Sequence, residues 1–440
     1  MHMRTRRLPA ALLLGALSAS LIVASMGAID GRAAWAKATT PPGLNAGRIW
    51  SLASSPKTAG LVVAGTDHGV YVTTDSGATW TAGGLPATLR VWAVGFDVRN
   101  PARLLAGTDG SGVFLSVDSG VSWTASSSGL SDKTVRALAF GTDGVAAGTN
   151  HGVALSPDGA VWHDGGLDGD SISSLAIAAN TPSLVLVAAT DRGDLSAGYL
   201  FRYGASGTTW QALQSGLPSA AVVTSVAAGP LSTSVTKRPL VVTTSKGTFR
   251  SGDGGATWTA STGVPESLIL TTAVISPLDP SLVYAGADQG GSNGGDLLRS
   301  TDGGASFTAA DAGLPTNTRE VVALAVEQVT PPVVLAALDP AAGGRVYSET
   351  DTTAPAPPAL VAEAPGQEIP ATLATPVPTA RPSATARAVA PTPEPSSGLG
   401  QFLGSAFHWP VPLVFEVLLV LAIAYLGVRW RQRYYVEGPP

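Results

Sequence analysis

Five aspartates stand in nearly the same company. Asp75, Asp118, Asp158, Asp253 and Asp302 each follow a serine or threonine by two residues and run into a glycine. An aromatic residue closes each stretch: Trp80, Trp123, Trp162, Trp258 and Phe307. A hydroxyl beside a carboxylate at fixed spacing could mark an active site, or a turn that the chain uses again and again. A second set carries the opposite charge. Arg48, Arg90, Arg136 and Arg319 each lie at the start of an apolar run, in NAGR, ATLR, KTVR and NTRE. Guanidinium groups gathered in one place would form an anion site, because each presents a rigid fork matched to carboxylate or phosphate oxygens.

Other chemistries are excluded by what the chain lacks. Among 440 residues there is no cysteine, so disulfides, thiolate metal sites and a cysteine nucleophile are ruled out. The five histidines, His2, His68, His151, His163 and His408, form no metal-binding pair of the HxxxH type. A net charge of −5 argues against a nucleic-acid partner. No metal or cofactor is expected.

The elements that must position these residues are repeats. The boxes TTDSGATW, SVDSGVSW, SPDGAVW, YGASGTTW, SGDGGATW and STDGGASF place their third residue, or its equivalent, at 75, 118, 158, 205, 253 and 302, and 49 residues further on Asp351 marks a seventh, decayed copy. Each unit holds four short β-rich runs separated by Gly, Asn and Asp turns. That is the pattern of a propeller blade. Seven starts of an innermost strand are visible, from IWSLASS to VVALAVE, so the expected fold is all-β, a seven-bladed β-propeller over about residues 37–351. The seventh blade runs into TTAPAPPAL, whose prolines suit a ladder badly. Its missing outer strand is expected from the other end, where AAWAKATTPPGL repeats the Trp-to-Gly-Leu pattern of the other outer strands.

The boxes resemble the Asp-box, or BNR repeat, of sialidases, sortilin-type receptor ectodomains, some glucan-cleaving hydrolases and photosystem II assembly and stability factors. The resemblance implies that the boxes join third and fourth strands on the face opposite the ligand site. Read from the residues, the aspartates then accept hydrogen bonds from backbone N–H groups one or two positions onward, and the aromatics pack between blades. The candidate binding face consists of blade-to-blade loops with Arg48, Arg90, Arg136 and Arg319. Loops between second and third strands add Asp67, His68, Asp109, His151, Asp191 and Arg192. Photosystem-assembly relatives have a comparable arginine patch, which the resemblance carries to those four arginines. Repeats also share residues by duplication, so each arginine could instead pair with Asp67, Asp109 or Asp191. The sialidase pattern is incomplete, because Gly47-Arg48-Ile49-Trp50 lacks the proline of an Arg-Ile-Pro motif and no tyrosine is paired with a glutamate.

The ends set the topology. Residues 1–36 read as an export signal, a charged MHMRTRR followed by an apolar run, with an uncleaved anchor as the alternative. Residues 352–408 are a Pro/Ala/Thr-rich linker, too poor in apolar residues to bury a core. Residues 409–428 form a transmembrane segment, and 429–440 a short basic tail on the cytoplasmic side. The expected molecule is a stalked propeller at the cell membrane that binds an extracytoplasmic protein or glycan without catalysis. Its rivals are a tethered glycoside hydrolase and an assembly factor for a membrane complex.

Overall fold

Short runs rich in Val, Ala, Leu and Thr, broken by glycine-containing turns, favour strands that are buried on both faces. In the computed structural model they form seven four-stranded antiparallel sheets, the blades of a β-propeller. The described residues are 35–37, 47–179, 185–190, 200–204, 209–213, 215–219, 221–230, 237–288, 297–314, 320–338 and 345–355. The expected signal segment outside residues 35–36, the linker beyond residue 355, the membrane segment and the basic tail lie outside them, as do Arg319, Asp191 and Arg192. Among the described residues no helix is long and apolar enough to cross a membrane.

Burial peaks at the second strands and falls off toward the outer ones. The second strands Val62–Thr66, Val145–Thr149 and Leu240–Thr244 are buried at every position, whereas the outer strands Thr81–Ala82, Thr124–Ala125 and Thr259–Ala260 are exposed. The core is therefore a set of layers between neighbouring blades. One such layer joins Ile49, Leu52 and Trp80 of the first blade to Ala323, Leu335 and Val346 of the seventh. Close approach explains the repeated Ala-Gly of the second strands. A Cβ on Gly65 would lie 2.9 Å from Val91 of the next blade, and one on Gly107 would lie 2.6 Å from Val135. Only glycine lets the following blade's branched side chain seat there.

The ring closes as expected from the N-terminal pattern. Ala36–Lys37 forms the outer strand of the seventh blade, with Ala36 opposite Ser348 and Lys37 opposite Tyr347. Trp35 enters the layer between blades six and seven, 6% exposed, and its indole N–H donates to the Ala310 carbonyl at 3.1 Å. Trp162 does the same in the third blade, where its indole N–H donates to the Ser126 carbonyl. Asp351 sits at the end of the third strand and is buried. Its carboxylate accepts from the Tyr284 hydroxyl and from Arg299 Nε, each at 2.5 Å. Burial, with the neighbouring Asp351 carboxylate, pushes the Tyr284 phenol upward.

Strand direction defines two faces. Inner strands run away from the blade-to-blade loops, so these loops and those between second and third strands share one face, called here the loop face. The repeated boxes and the loops between first and second strands occupy the other, the turn face.

Candidate functional site

On the turn face the aspartates are consumed by their own turns. Thr73 Oγ1 donates to Asp75 Oδ1 at 2.7 Å and accepts from the Gly77 N–H at 3.0 Å. Asp75 then accepts from the Thr79 N–H at 2.8 Å and the Thr79 hydroxyl at 2.5 Å. Asp118, Asp253 and Asp302 repeat this with Ser122, Thr257 and Ser306. The carboxylate therefore reaches four residues onward, not one or two. The reason is that the backbone turns left-handed at two successive residues, Ser76 at φ 57° and Gly77 at 87°, which folds the following Thr79 back over the aspartate. Only Asp158, whose box is one residue short, bonds two residues on, to the Ala160 N–H at 2.9 Å.

The hydrogen bonds lower the pKa values of these groups. The Ser122 hydroxyl and N–H hold Asp118 at about 2. Burial opposes ionisation of Asp253 and Asp302, but the Thr257 and Ser306 bonds outweigh it and hold both at about 2. A carboxylate that is ionised at neutral pH and already saturated with donors is poorly placed to shuttle protons. The aromatics anchor the turns from within: Trp80, Trp162, Trp258 and Phe307 are buried, and Trp123 is half-buried.

The loop face is built differently. Every inner strand carries a register shift near its first residue, and the residue inside it has no opposite partner: Trp50, Trp92, Arg136, Ser173, Thr224, Thr271 and Val322. A bulge re-aims its extra residue. Five of the seven line the mouth of the central channel, a cavity of about 320 Å³. The other two, Thr224 and Thr271, donate their hydroxyls to the next blade's carbonyls, Leu270 and Val321, each at 2.6 Å.

This register corrects the placement of the arginines. Ile49, Val91 and Val135 are equivalent, since each pairs with the threonine that ends its second strand, Thr66, Thr108 and Thr149. Arg48 and Arg90 precede that residue, but Arg136 follows it. Arg136 thus takes the place of Trp50 and Trp92, not of the other arginines. The three described arginines and two tryptophans still meet. The rings of Trp50 and Trp92 lie 4.2 Å apart at 57°. Arg48 stands 4.6 Å over Trp50, Arg90 5.3 Å over Trp92, and Arg136 5.4 Å over Trp92 from the third blade.

Two of the arginines are paired with acids. Arg48 Nη2 contacts Glu320 at 2.5 Å. Arg90 bridges two carboxylates, Asp67 at 2.8 Å and Asp109 at 3.4 Å. Asp67 also accepts from the Arg48 N–H at 2.9 Å and the Trp50 indole at 2.8 Å. Its burial raises the cost of charge, yet these donors together hold its pKa below the usual carboxylate value. Arg136 differs: among the described residues it makes no ion pair or hydrogen bond, and its Nε is buried without a partner. The Trp92 indole N–H is likewise buried and unbonded. The site therefore offers one uncompensated cation and one orphaned donor beside an aromatic pair.

The two histidines sit at equivalent positions away from the channel. His68 Nδ1 lies 3.3 Å from the Ala87 carbonyl, and His151 Nδ1 lies 2.7 Å from Asp132. Sequence reasoning missed Trp50, Trp92 and Glu320. The signal for the tryptophans was present in Arg48-Ile49-Trp50 and Arg90-Val91-Trp92, a repeated Arg-x-Trp whose outer members share one face of a strand. No metal-binding cluster of His, Asp and Glu occurs among the described residues.

Neither a family model nor a curated protein matches this chain. Solved structures do resemble it. A structure described as YCF48 bound to D1 peptide superposes with a TM-score of 0.53 at 15% identity, covering 72% of this chain and 98% of that one. YCF48 from Cyanidioschyzon merolae gives 0.52 at 15% identity, over 73% of this chain and 99% of its own. The extracellular domain of a one component system from B. thetaiotaomicron, BT4673, gives 0.51 at 13% identity, over 71% of this chain and 40% of its own. At this identity the likeness shows the propeller fold.

Proposed function

We propose that this chain is a non-catalytic binding module, an Asp-box propeller displayed outside the membrane, whose channel mouth receives a carboxylate-bearing segment of an extracytoplasmic protein. The observation that carries the reading is Arg136, a guanidinium at the channel mouth that forms no ion pair among the described residues and lies over Trp92, whose ring packs on Trp50. A charge-assisted bond to a carboxylate would offset the cost of holding that cation out of water, and the indole faces offer apolar contact for the flanking residues. A similar propeller has been solved with a peptide bound, which supports a peptide as the occupant. In this reading residues 1–36 direct export, residues 352–408 form a stalk, and 409–428 anchor the chain. A membrane-complex assembly factor would use the same mouth on a partner's exposed tail.

The test is fluorescence anisotropy of the purified full chain against a peptide array, each sequence made with a free and with an amidated C-terminus and with acidic residues or their amides. Binding to carboxylate-bearing members, weakened about tenfold or more in Arg136→Ala, supports the reading. An array that does not distinguish the wild type from Arg136→Ala contradicts it. Turnover of chromogenic sialosides or glucans would redirect it to hydrolysis.

A further inference from the structure

The other end of the channel opens into a larger cavity, about 660 Å³, between the far ends of the inner strands on the turn face. Its walls mix apolar and polar surface in nearly equal parts, with Phe96, Phe140, Val274 and Ile275 among the apolar lining residues, and its volume falls within the roughly 300–1,000 Å³ of small-molecule sites. One charged residue lines it, Arg238.

Arg238 bridges blades four and five. Its backbone N–H donates to the Ala178 carbonyl at 2.8 Å, its Nε to Gly229 at 2.5 Å and its Nη1 to Ile177 at 2.9 Å. These bonds fix the plane of the guanidinium and leave Nη2 without a protein partner among the described residues. No described carboxylate forms an ion pair with it. Burial pushes the guanidinium down to about 10, so it stays charged at neutral pH in surroundings that do not neutralise it. Capping two carbonyls requires only a neutral donor; a half-buried guanidinium with no ion pair among the described residues carries a desolvation cost that an anion would offset.

We infer that this cavity binds an aliphatic monocarboxylate of the fatty-acid type, its carboxylate on Arg238 and its chain against Phe96, Phe140, Val274 and Ile275. A single guanidinium balances one negative charge, whereas a phosphate monoester carries about −1.5 to −2 at neutral pH and would leave the excess unpaired. A peptide would bring an amide pair at every residue, and the polar side chains of the lining are Ser54, Thr142, Arg238 and Gln328. Its Ser54 hydroxyl is already given to the Val326 carbonyl at 2.7 Å. The site lies at the opposite end of the channel from Arg136 and does not depend on the function proposed for that end.

The experiment is photolabelling of the full chain in amphipol with a hexadecanoic acid carrying a diazirine, beside its methyl ester, with adducts mapped by mass spectrometry. Acid adducts on peptides holding Phe96, Phe140 or Ile275, about tenfold above ester adducts and lost in Arg238→Gln, are the expected result. Equal labelling by acid and ester, or labelling unchanged by Arg238→Gln, overturns the proposal. Should Arg238→Gln fail to fold, Val98→Glu decides. Val98 is a lining residue 39% exposed, so a carboxylate there is tolerated by the fold and repels the ligand. Full labelling in that variant overturns the proposal as well.

Discussion

The repeated turns and the bulges at the channel mouth both recur around the ring, yet the two features treat sequence in opposite ways. At the turns the same solution returns, Thr73 with Asp75, Ser116 with Asp118, Ser251 with Asp253 and Ser300 with Asp302. At the mouth the backbone device is constant but the residue is not: Trp, Trp and Arg in blades one to three, Ser, Thr and Thr in blades four to six. The carboxylates and hydroxyls of the turns at Asp75, Asp118, Asp253 and Asp302 are satisfied within eight residues, so a change at one of them leaves a donor or acceptor unpaired. Five of the bulge residues line the channel mouth, outside the ladder of their own sheets, while Thr224 and Thr271 bond to the next blade. A seven-fold fold thus keeps its common chemistry on one face and frees the other to become asymmetric. The place to look for specificity is where the repetition breaks.

The largest effects should come from the repeated side. Trp162 is 1% exposed and donates to the Ser126 carbonyl at 2.8 Å, so Trp162→Ala should cost about 3–5 kcal/mol in urea unfolding while leaving any binding at the mouth intact in the folded fraction. Trp35→Ala should cost a similar amount, because Trp35 fills the corresponding layer of the last blade. This bears on the mature N-terminus. A cut after Ala36 would remove Trp35, so intact-mass measurement of the chain purified from its native cells should show Trp35 retained. A mature chain that begins at Lys37 and is as stable as one that keeps Trp35 would remove the equivalence between the closing strand and the turns.

The mouth should respond in the reverse manner. Arg136→Ala should change stability by less than about 1 kcal/mol, since the side chain makes no hydrogen bond among the described residues and its buried Nε is unsatisfied there. Ligand affinity should fall about tenfold, or about 1.4 kcal/mol. Trp92→Ala separates the aromatic contribution from the charge. If Arg136→Ala instead unfolds the ring, the mouth belongs with the turns as a structural feature.

Much of the propeller was legible because its causes are local. Alternation and turn residues located all seven inner strands, and the Trp-to-Gly-Leu pattern located the strand that closes the ring. The site was less legible because its causes are not. The bulge at Trp50, Trp92 and Arg136 is invisible in composition, and the pairing register, Val135 with Thr149 as Val91 with Thr108, is what puts Arg136 in the tryptophan position. The Arg48 to Glu320 pair joins residues 272 apart, brought together only when the last blade meets the first. Arg238 stands outside every repeated motif, and its neighbours Ile177 and Gly229 are carbonyls whose availability depends on the free edges of inner strands.

The smallest effect offers the cleanest contrast between the two faces. Asp253 and Asp302 have folded pKa values near 2, below the value of about 3.9 for an unperturbed aspartate. The unfolded chain therefore binds protons more readily between those values, so these groups add stability that is fully present above about pH 4 and is lost as pH falls toward 2. Solvent screening at these partly exposed turns keeps each contribution small. Asp253→Asn removes one such group and should make the urea midpoint fall less between pH 4 and pH 2 than it does in the wild type. Arg136→Ala carries no carboxylate and touches none, so it should leave that slope unchanged. Equal slopes for the wild type and Asp253→Asn would place the acid sensitivity elsewhere, with buried Asp351 as the next carboxylate to replace, since its pKa too lies below the usual value: burial opposes its ionisation, and Tyr284, Thr353 and Arg299 outweigh it.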